Sequence, residues 1–197
     1  MIELLDKAKL VVLVSGNGSN LQALIDACSS GHLSAQIALV ISNRKDAYAL
    51  HRAEKAGIPS ACISHKEFKH RKDYDLALEH CIVACNPDLI VLAGFMRVLG
   101  KGFVQTFTQM IINIHPSYLP EFPGLHAIEN AWKSKAEHTG VTVHWVDEGM
   151  DTGPIIVQEK ILIDKGESLE SLEAKIHGVE HRLFPYAISK VLEEKKL

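Results

Sequence analysis

Asn113 and His115 stand two residues apart at the end of an apolar run, Met110-Ile111-Ile112, and Pro116 follows at once. The run reads as a buried strand that the proline stops, so an amide and an imidazole arrive together at a strand's end. Because strand side chains alternate faces, the two point to the same side. Three prolines and a glycine within residues 116–124 keep the exit loop stiff. A rigid pair of polar groups is what a preorganised site needs. The same residues would also serve as a strand cap and a hydrogen-bonded core histidine. Further along, Asp147-Glu148-Gly149-Met150-Asp151-Thr152-Gly153-Pro154 sets two prominent acids among glycines, a second source of acid–base groups.

Near the start, the apolar stretch Leu10 to Val14 runs into Ser15-Gly16-Asn17-Gly18-Ser19-Asn20, after which Leu21, Leu24, Ile25 and Cys28 recur at helical spacing. A glycine loop opening a helix offers free backbone N–H groups and the positive end of the helix dipole, which suit a phosphate. Only G-x-G of the dinucleotide fingerprint is present, since Leu21 occupies the third glycine position. There is no Walker lysine, and the second strand ends in Asn43-Arg44 rather than in a ribose-binding carboxylate. The loop therefore fits a monophosphate better than a dinucleotide; a turn that binds nothing is the alternative.

These groups need elements to hold them. The chain alternates strand and helix: strand Ile37 to Ser42, helix Ala47 to Ala56 stopped at Gly57, strand Ser60 to Ile63, then a charged loop from His65 to Asp73. A helical face through Tyr74, Leu76, Leu78, Cys81, Ile82 and Cys85 ends at Asn86-Pro87, and Asp88 to Ala93 reads as another buried strand. It leads into Gly94-Phe95-Met96-Arg97-Val98-Leu99-Gly100, which reads as an apolar pocket wall around one arginine, with core packing of Phe95 and Met96 as the alternative. Beyond the central strand come a helix at 127–134, an alternating strand at 140–146 and a strand at 155–163. The last helical region, 168–194, has Ser168 as a possible cap and an interruption expected near Pro185. Repeated βαβ units imply a largely parallel sheet with helices on both faces, with ligands at the carboxyl ends of its strands. The anion loop, the 95–99 wall, the Asn113/His115 pair and the 147–151 loop then share one rim.

With 197 residues and 47% hydrophobic content, a single domain spanning 1–197 is expected. A net charge of −3 with interspersed signs provides no basic field for nucleic acid. No apolar run reaches the roughly 18 residues needed to cross a bilayer, and the first residues lack a signal peptide's order, so a cytoplasmic location is expected. Cys28, Cys62, Cys81 and Cys85 read as buried thiols rather than zinc ligands or disulfides. His177-Gly178-Val179-Glu180-His181 matches a short zinc-peptidase pattern but has no accompanying acidic ligand motif, so no metal is expected. No GxSxG elbow occurs and no cysteine adjoins a candidate base, which disfavours a covalent acyl-enzyme.

Taken in order and spacing, SGNGSNLQALID, LAGFMRVL, NIHPSYLPEFPGLHAIENA, GVTVHWVDEGMDTGPII and HGVEHRLFP resemble the glycinamide ribonucleotide transformylase family of formyl transferases, over residues 10–192. The resemblance implies a three-layer, Rossmann-like formyltransferase fold. It also implies transfer of a formyl group from 10-formyltetrahydrofolate, a cosubstrate, to the amine of glycinamide ribonucleotide in purine biosynthesis. It makes Asn113, His115 and Asp151 catalytic. Gly18, Ser19 and Asn20 match the ribonucleotide phosphate site, and Glu180 a contact to the glycinamide end. Arg71, Met96, Arg97, Val98, Leu99, Asn113, Asp147 and Asp151 match positions around the folate. The chemistry it implies is direct attack by the amine through a tetrahedral oxyanion, with Asn113 and a protonated His115 as donors and Asp151 assisting proton transfer. Small-molecule substrates are the expected partners, with monomer and homodimer both open. A formyltetrahydrofolate hydrolase would carry an additional N-terminal domain, and a methionyl-tRNA formyltransferase a further C-terminal domain and a basic surface. A non-catalytic folate- or nucleotide-binding module is the rival from another class.

Overall fold

The computed structural model describes residues 7–196. Seven strands form one sheet: β1 (Ala8–Val14), β2 (Ala35–Ser42), β3 (Ser60–Cys62), β4 (Leu89–Leu92), β5 (Ile111–His115), β6 (His138–Trp145) and β7 (Ile155–Leu162). Their order is β3-β2-β1-β4-β5-β6-β7. The first five strands are parallel, and β6 and β7 add antiparallel to one edge. The chain winds outward from β1 to β3, then returns to place β4 on the other side of β1. The order reverses between β1 and β4, and a crevice at the carboxyl ends of these strands is where open α/β sheets hold ligands.

Continuous apolar strands are required because both faces are covered. Leu10, Val12 and Val14 of β1 pack in one core with α1 (Ser19–Ser30) and α6 (Leu169–Lys195). Val11 and Leu13 pack in the other with α3 (Arg71–Val83) and α4 (Lys101–Thr106). The remaining helices are α2 (Tyr48–Lys55) and α5 (Ala127–Lys133). Among the described residues no helix is long and apolar enough to cross a membrane.

Four expectations need correction. α6 runs unbroken through Pro185. An interior proline costs roughly 3 kcal/mol, and here Phe184, Ala187, Ile188 and Val191 bury their side chains on either side of it, each large one contributing about 1.5–3 kcal/mol. Tertiary burial therefore overrides the local breaker. Residues 65–73 are a loop only in part: a 3₁₀ turn spans His65–Glu67, residues 68–70 are irregular, and α3 starts at Arg71. β6 does not alternate, because Thr139 to His144 are all buried between neighbouring strands and covering layers. The four cysteines are free thiols but only half-buried. The short α4 had no sequence expectation at all, since its six residues hold too little periodicity.

Candidate active site

The anion loop is built from behind. Gly18 has φ +76°, and a Cβ there would lie 2.6 Å from the Cβ of Ala49 on α2, so both backbone and packing require glycine. α1 begins without a side-chain cap. Its first N–H groups therefore lack intrahelical partners, and Gly18, Ser19 and Asn20 line a large cavity. Ser15, at the end of β1, is buried and joins three strand exits. Its hydroxyl donates to Asn43 Oδ1 at 2.7 Å and accepts the Met96 N–H at 2.8 Å. The anion loop and the apolar wall are thus tied through one side chain.

That wall follows β4. Phe95 and Leu99 turn into the core, while Met96 and Val98 are 65% and 62% exposed along the cavity. Arg97 also lines the cavity. Arg71 does not: its guanidinium donates to the Val98 carbonyl and faces Asp75 Oδ2 at 3.7 Å, supporting the wall from outside. Burial pushes the Asp75 carboxyl up, although Arg71 opposes this.

On β5 the same-side placement of Asn113 and His115 is realised, and both line the cavity. The antiparallel register pairs Asn113 with His144. His144 Nδ1 lies 2.9 Å from the Trp145 carbonyl, which can only accept, so Nδ1 carries the proton. With Nδ1–H so placed, Nε2 accepts from Asn113 Nδ2 at 3.2 Å. This fixes the amide and leaves its second N–H available. His115 Nε2 lies 2.9 Å from the Phe122 carbonyl and by the same reasoning donates to it. Only Nδ1 of His115 is then free for chemistry, and it faces Asp151 Oδ2 at 3.5 Å.

Asp151 sits in the β6–β7 loop at φ +55°, a left-handed conformation uncommon outside glycine but adopted more readily by aspartate than by most side chains. Its Oδ2 accepts the Gly124 N–H at 2.8 Å, and its Oδ1 lies 3.6 Å from His144 Nε2. Burial pushes its carboxyl up, but the Gly124 N–H and the nearby His115 hold it below the usual carboxylate range. Asp151 is therefore ionised at neutral pH. Asp147 also lines the cavity, with its oxygens committed to Gly149 N–H at 3.0 Å and Thr152 Oγ at 2.8 Å, closing its own loop. At Gly153 a Cβ would overlap the Trp145 carbonyl oxygen, so this loop too depends on glycine.

Glu180 on α6 also lines the cavity; it is buried and accepts from Asn20 Nδ2 at 3.2 Å and His177 Nδ1 at 2.8 Å. The Glu180 contact pushes His177 up. Asn20 Oδ1 is buried without a partner. The histidines of the peptidase-like stretch, His177 and His181, stack 6.4 Å apart. Among the described residues no group of three His, Cys, Asp or Glu side chains could hold a metal ion.

The cavity is about 1500 Å³, larger than the roughly 300–1,000 Å³ of a single small-molecule pocket. It brings together every residue singled out from the sequence except Arg71. Three residues escaped sequence reading: His144, Ser15 and Asn43. A histidine inside the apolar GVTVHWV run was the available signal for the first; Ser15 and Asn43 needed knowledge of which strand ends meet.

Fold and site together define an α/β protein whose parallel sheet presents an uncapped helix N-terminus and an amide–imidazole–carboxylate cluster on one carboxyl rim. A family model described as formyl transferase matches residues 8–188, and the chain belongs to that family. It is 43% identical over 180 residues to phosphoribosylglycinamide formyltransferase of Escherichia coli, covering 91% of this chain and 85% of that one. Its fold matches the crystal structure of glycinamide ribonucleotide transformylase 1 from Geobacillus kaustophilus with TM-score 0.92 at 40% identity, covering 94% and 99% of the two chains. It is also 49% identical over 185 residues to the trifunctional purine biosynthetic protein adenosine-3 of Drosophila pseudoobscura pseudoobscura, covering 93% of this chain. The chain spans only 14% of that relative's length.

Proposed function

We propose that this chain transfers the formyl group of 10-formyltetrahydrofolate to the primary amine of glycinamide ribonucleotide, yielding formylglycinamide ribonucleotide and tetrahydrofolate in purine biosynthesis. The observation that carries this reading is the placement, in one cavity, of the uncapped Gly18-Ser19-Asn20 turn, the Asn113/His115/Asp151 cluster and the exposed Met96–Val98 wall. A phosphate suits the first, a reacting carbonyl the second and a flat apolar ring system the third. The names borne by the similar proteins agree.

In this reading the amine lone pair attacks the formyl carbon, and the carbonyl oxygen becomes an oxyanion. Asn113 donates its second amide N–H to it, because the first is held by His144. His115 donates from Nδ1 when protonated, since Nε2 is engaged by Phe122. Asp151 faces that nitrogen with a full negative charge and stabilises the imidazolium. Collapse of the intermediate breaks the bond to folate N10 and restores the carbonyl. The proton lost by the amine is delivered to N10, with Asp151 and water as the carriers. Both substrates bring their own reactivity, so the protein's work is positioning and charge stabilisation. The folate is a cosubstrate.

The test is an absorbance assay with 10-formyl-5,8-dideazafolate, with and without glycinamide ribonucleotide. Deformylation that requires the ribonucleotide supports the reading. Deformylation without it indicates a hydrolase, and no reaction indicates a binding module.

A further inference from the structure

Arg52 on α2 does not line the cavity, yet its guanidinium spends its donors on the anion loop. Nε donates to the Asn17 carbonyl at 2.9 Å, Nη2 to Asn17 Oδ1 at 2.7 Å, and Nη1 to Gln22 Oε1 on α1 at 3.1 Å. The group also packs over the Tyr48 ring at 4.9 Å. One turn earlier the Ala49 N–H donates to the Gly16 carbonyl at 3.1 Å, and Ala49 touches Gly18 so closely that no Cβ fits. The rear of the loop is therefore held by the first two turns of α2. All three acceptors of Arg52 are neutral. The arginine ion pairs among the described residues are those of Arg44, Arg71 and Arg182, so no carboxylate neutralises Arg52.

A five-residue loop with two glycines has many conformations, and only those that aim successive N–H groups into the cavity bind an anion. A planar fork that grips the main chain and side chain of Asn17 and reaches Gln22 selects such a conformation before the ligand arrives. Lysine cannot copy that geometry. The unpaired charge behind the loop adds a favourable field for an anion in front of it. We infer that Arg52 is a positioning residue for the substrate's phosphate, acting through Asn17 and Gln22 and through its uncompensated charge without touching the ligand. This rests on the reading of the Gly16–Asn20 loop as the phosphate site.

Inorganic phosphate is the probe, measured as a competitor of glycinamide ribonucleotide in the formyl-transfer assay of the wild type, Arg52→Ala, Arg52→Lys and Asn17→Ala proteins. Phosphate should compete in the wild type. In Arg52→Ala its inhibition constant and the KM for ribonucleotide should both rise on the order of tenfold, the loss of one or two charge-assisted hydrogen bonds. The KM for formyl-folate and kcat should stay within about twofold. Arg52→Lys should recover less than half of the loss on a logarithmic scale. Asn17→Ala, which leaves the arginine in place, should weaken phosphate in the same direction, so the inference stays testable should Arg52→Ala not fold. A wild type that phosphate does not inhibit overturns the phosphate reading of the loop, and this inference with it. Competition that is unchanged in Arg52→Ala or Asn17→Ala, or full rescue by lysine, overturns the role of Arg52 alone.

Discussion

The Asn113/His115/Asp151 cluster and the apolar wall line one cavity and are built in opposite ways. Asn113, His115, His144 and Asp151 are largely enclosed and hold one another or nearby carbonyls by hydrogen bonds. Met96 and Val98 stand more than half exposed, as does Met150 at 56%. One region is finished before any ligand arrives; the other is apolar surface waiting to be covered. The difference fits what each is proposed to do. Transition-state stabilisation needs dipoles already aimed, because reorienting them during reaction costs the energy they would supply. Binding a flat apolar ligand needs area removed from water, and exposed side chains lose nothing by waiting.

This contrast predicts that damage to the cluster appears in turnover and damage to the wall in binding. The largest effect is expected for Asp151→Asn: kcat should fall about 10²- to 10³-fold, with both KM values changing little. A large rise in KM instead would make Asp151 a structural support for its loop. Asn113→Ala and His115→Ala should each cause losses of similar size, and the double variant should be little worse than either single one, because both serve one oxyanion. Losses that multiply would separate their roles.

His144→Ala should be milder. It removes the acceptor that holds the Asn113 amide, and kcat should fall on the order of tenfold, the loss of one oriented hydrogen bond. If Asn113→Ala is combined with it, no further loss should appear. Met96→Ala sharpens the other side of the comparison: the KM for formyl-folate should rise about five- to tenfold through lost apolar burial, with kcat and the ribonucleotide KM unchanged.

The smallest effect concerns His177. Its pKa is raised in the folded protein from the ordinary 6.5, chiefly by the hydrogen bond to Glu180. Stability from a raised pKa is fully present below the unfolded value and is lost as pH rises through the folded one. Thermal unfolding should therefore show His177→Ala less stable than wild type at pH 5.5, with the gap narrowing by pH 9. A gap independent of pH would mean that the side chain contributes packing only. Asp151 has the opposite sign, because its folded pKa is depressed: its contribution is present above about 3.8 and lost on acidification.

Much of the site was legible in advance because its geometry is local. Asn113 and His115 share a side because strands repeat every two residues, and the Gly18 turn faces the cavity because a helix opens there. Arg71 shows where such reading stops. Its sequence position matches the folate surroundings, yet its side chain grips the back of the wall at Val98, a contact between α3 and a loop 27 residues later. Pro185 marks the same limit from the other direction, since a strong local rule yields to the burial of its neighbours.

What the sequence by itself determined are the features set by near neighbours along the chain: the alternation of strand and helix, the glycine turn, the pairing of amide and imidazole, and the family to which their spacing belongs. Only the tertiary structure decided which nitrogen of His115 is free, that His144 holds Asn113, and that Arg52 stands behind the anion loop. Each of these depends on strand register or helix packing between residues far apart in the chain. Such contacts are selected by the summed burial of two cores, and no short spacing pattern encodes them.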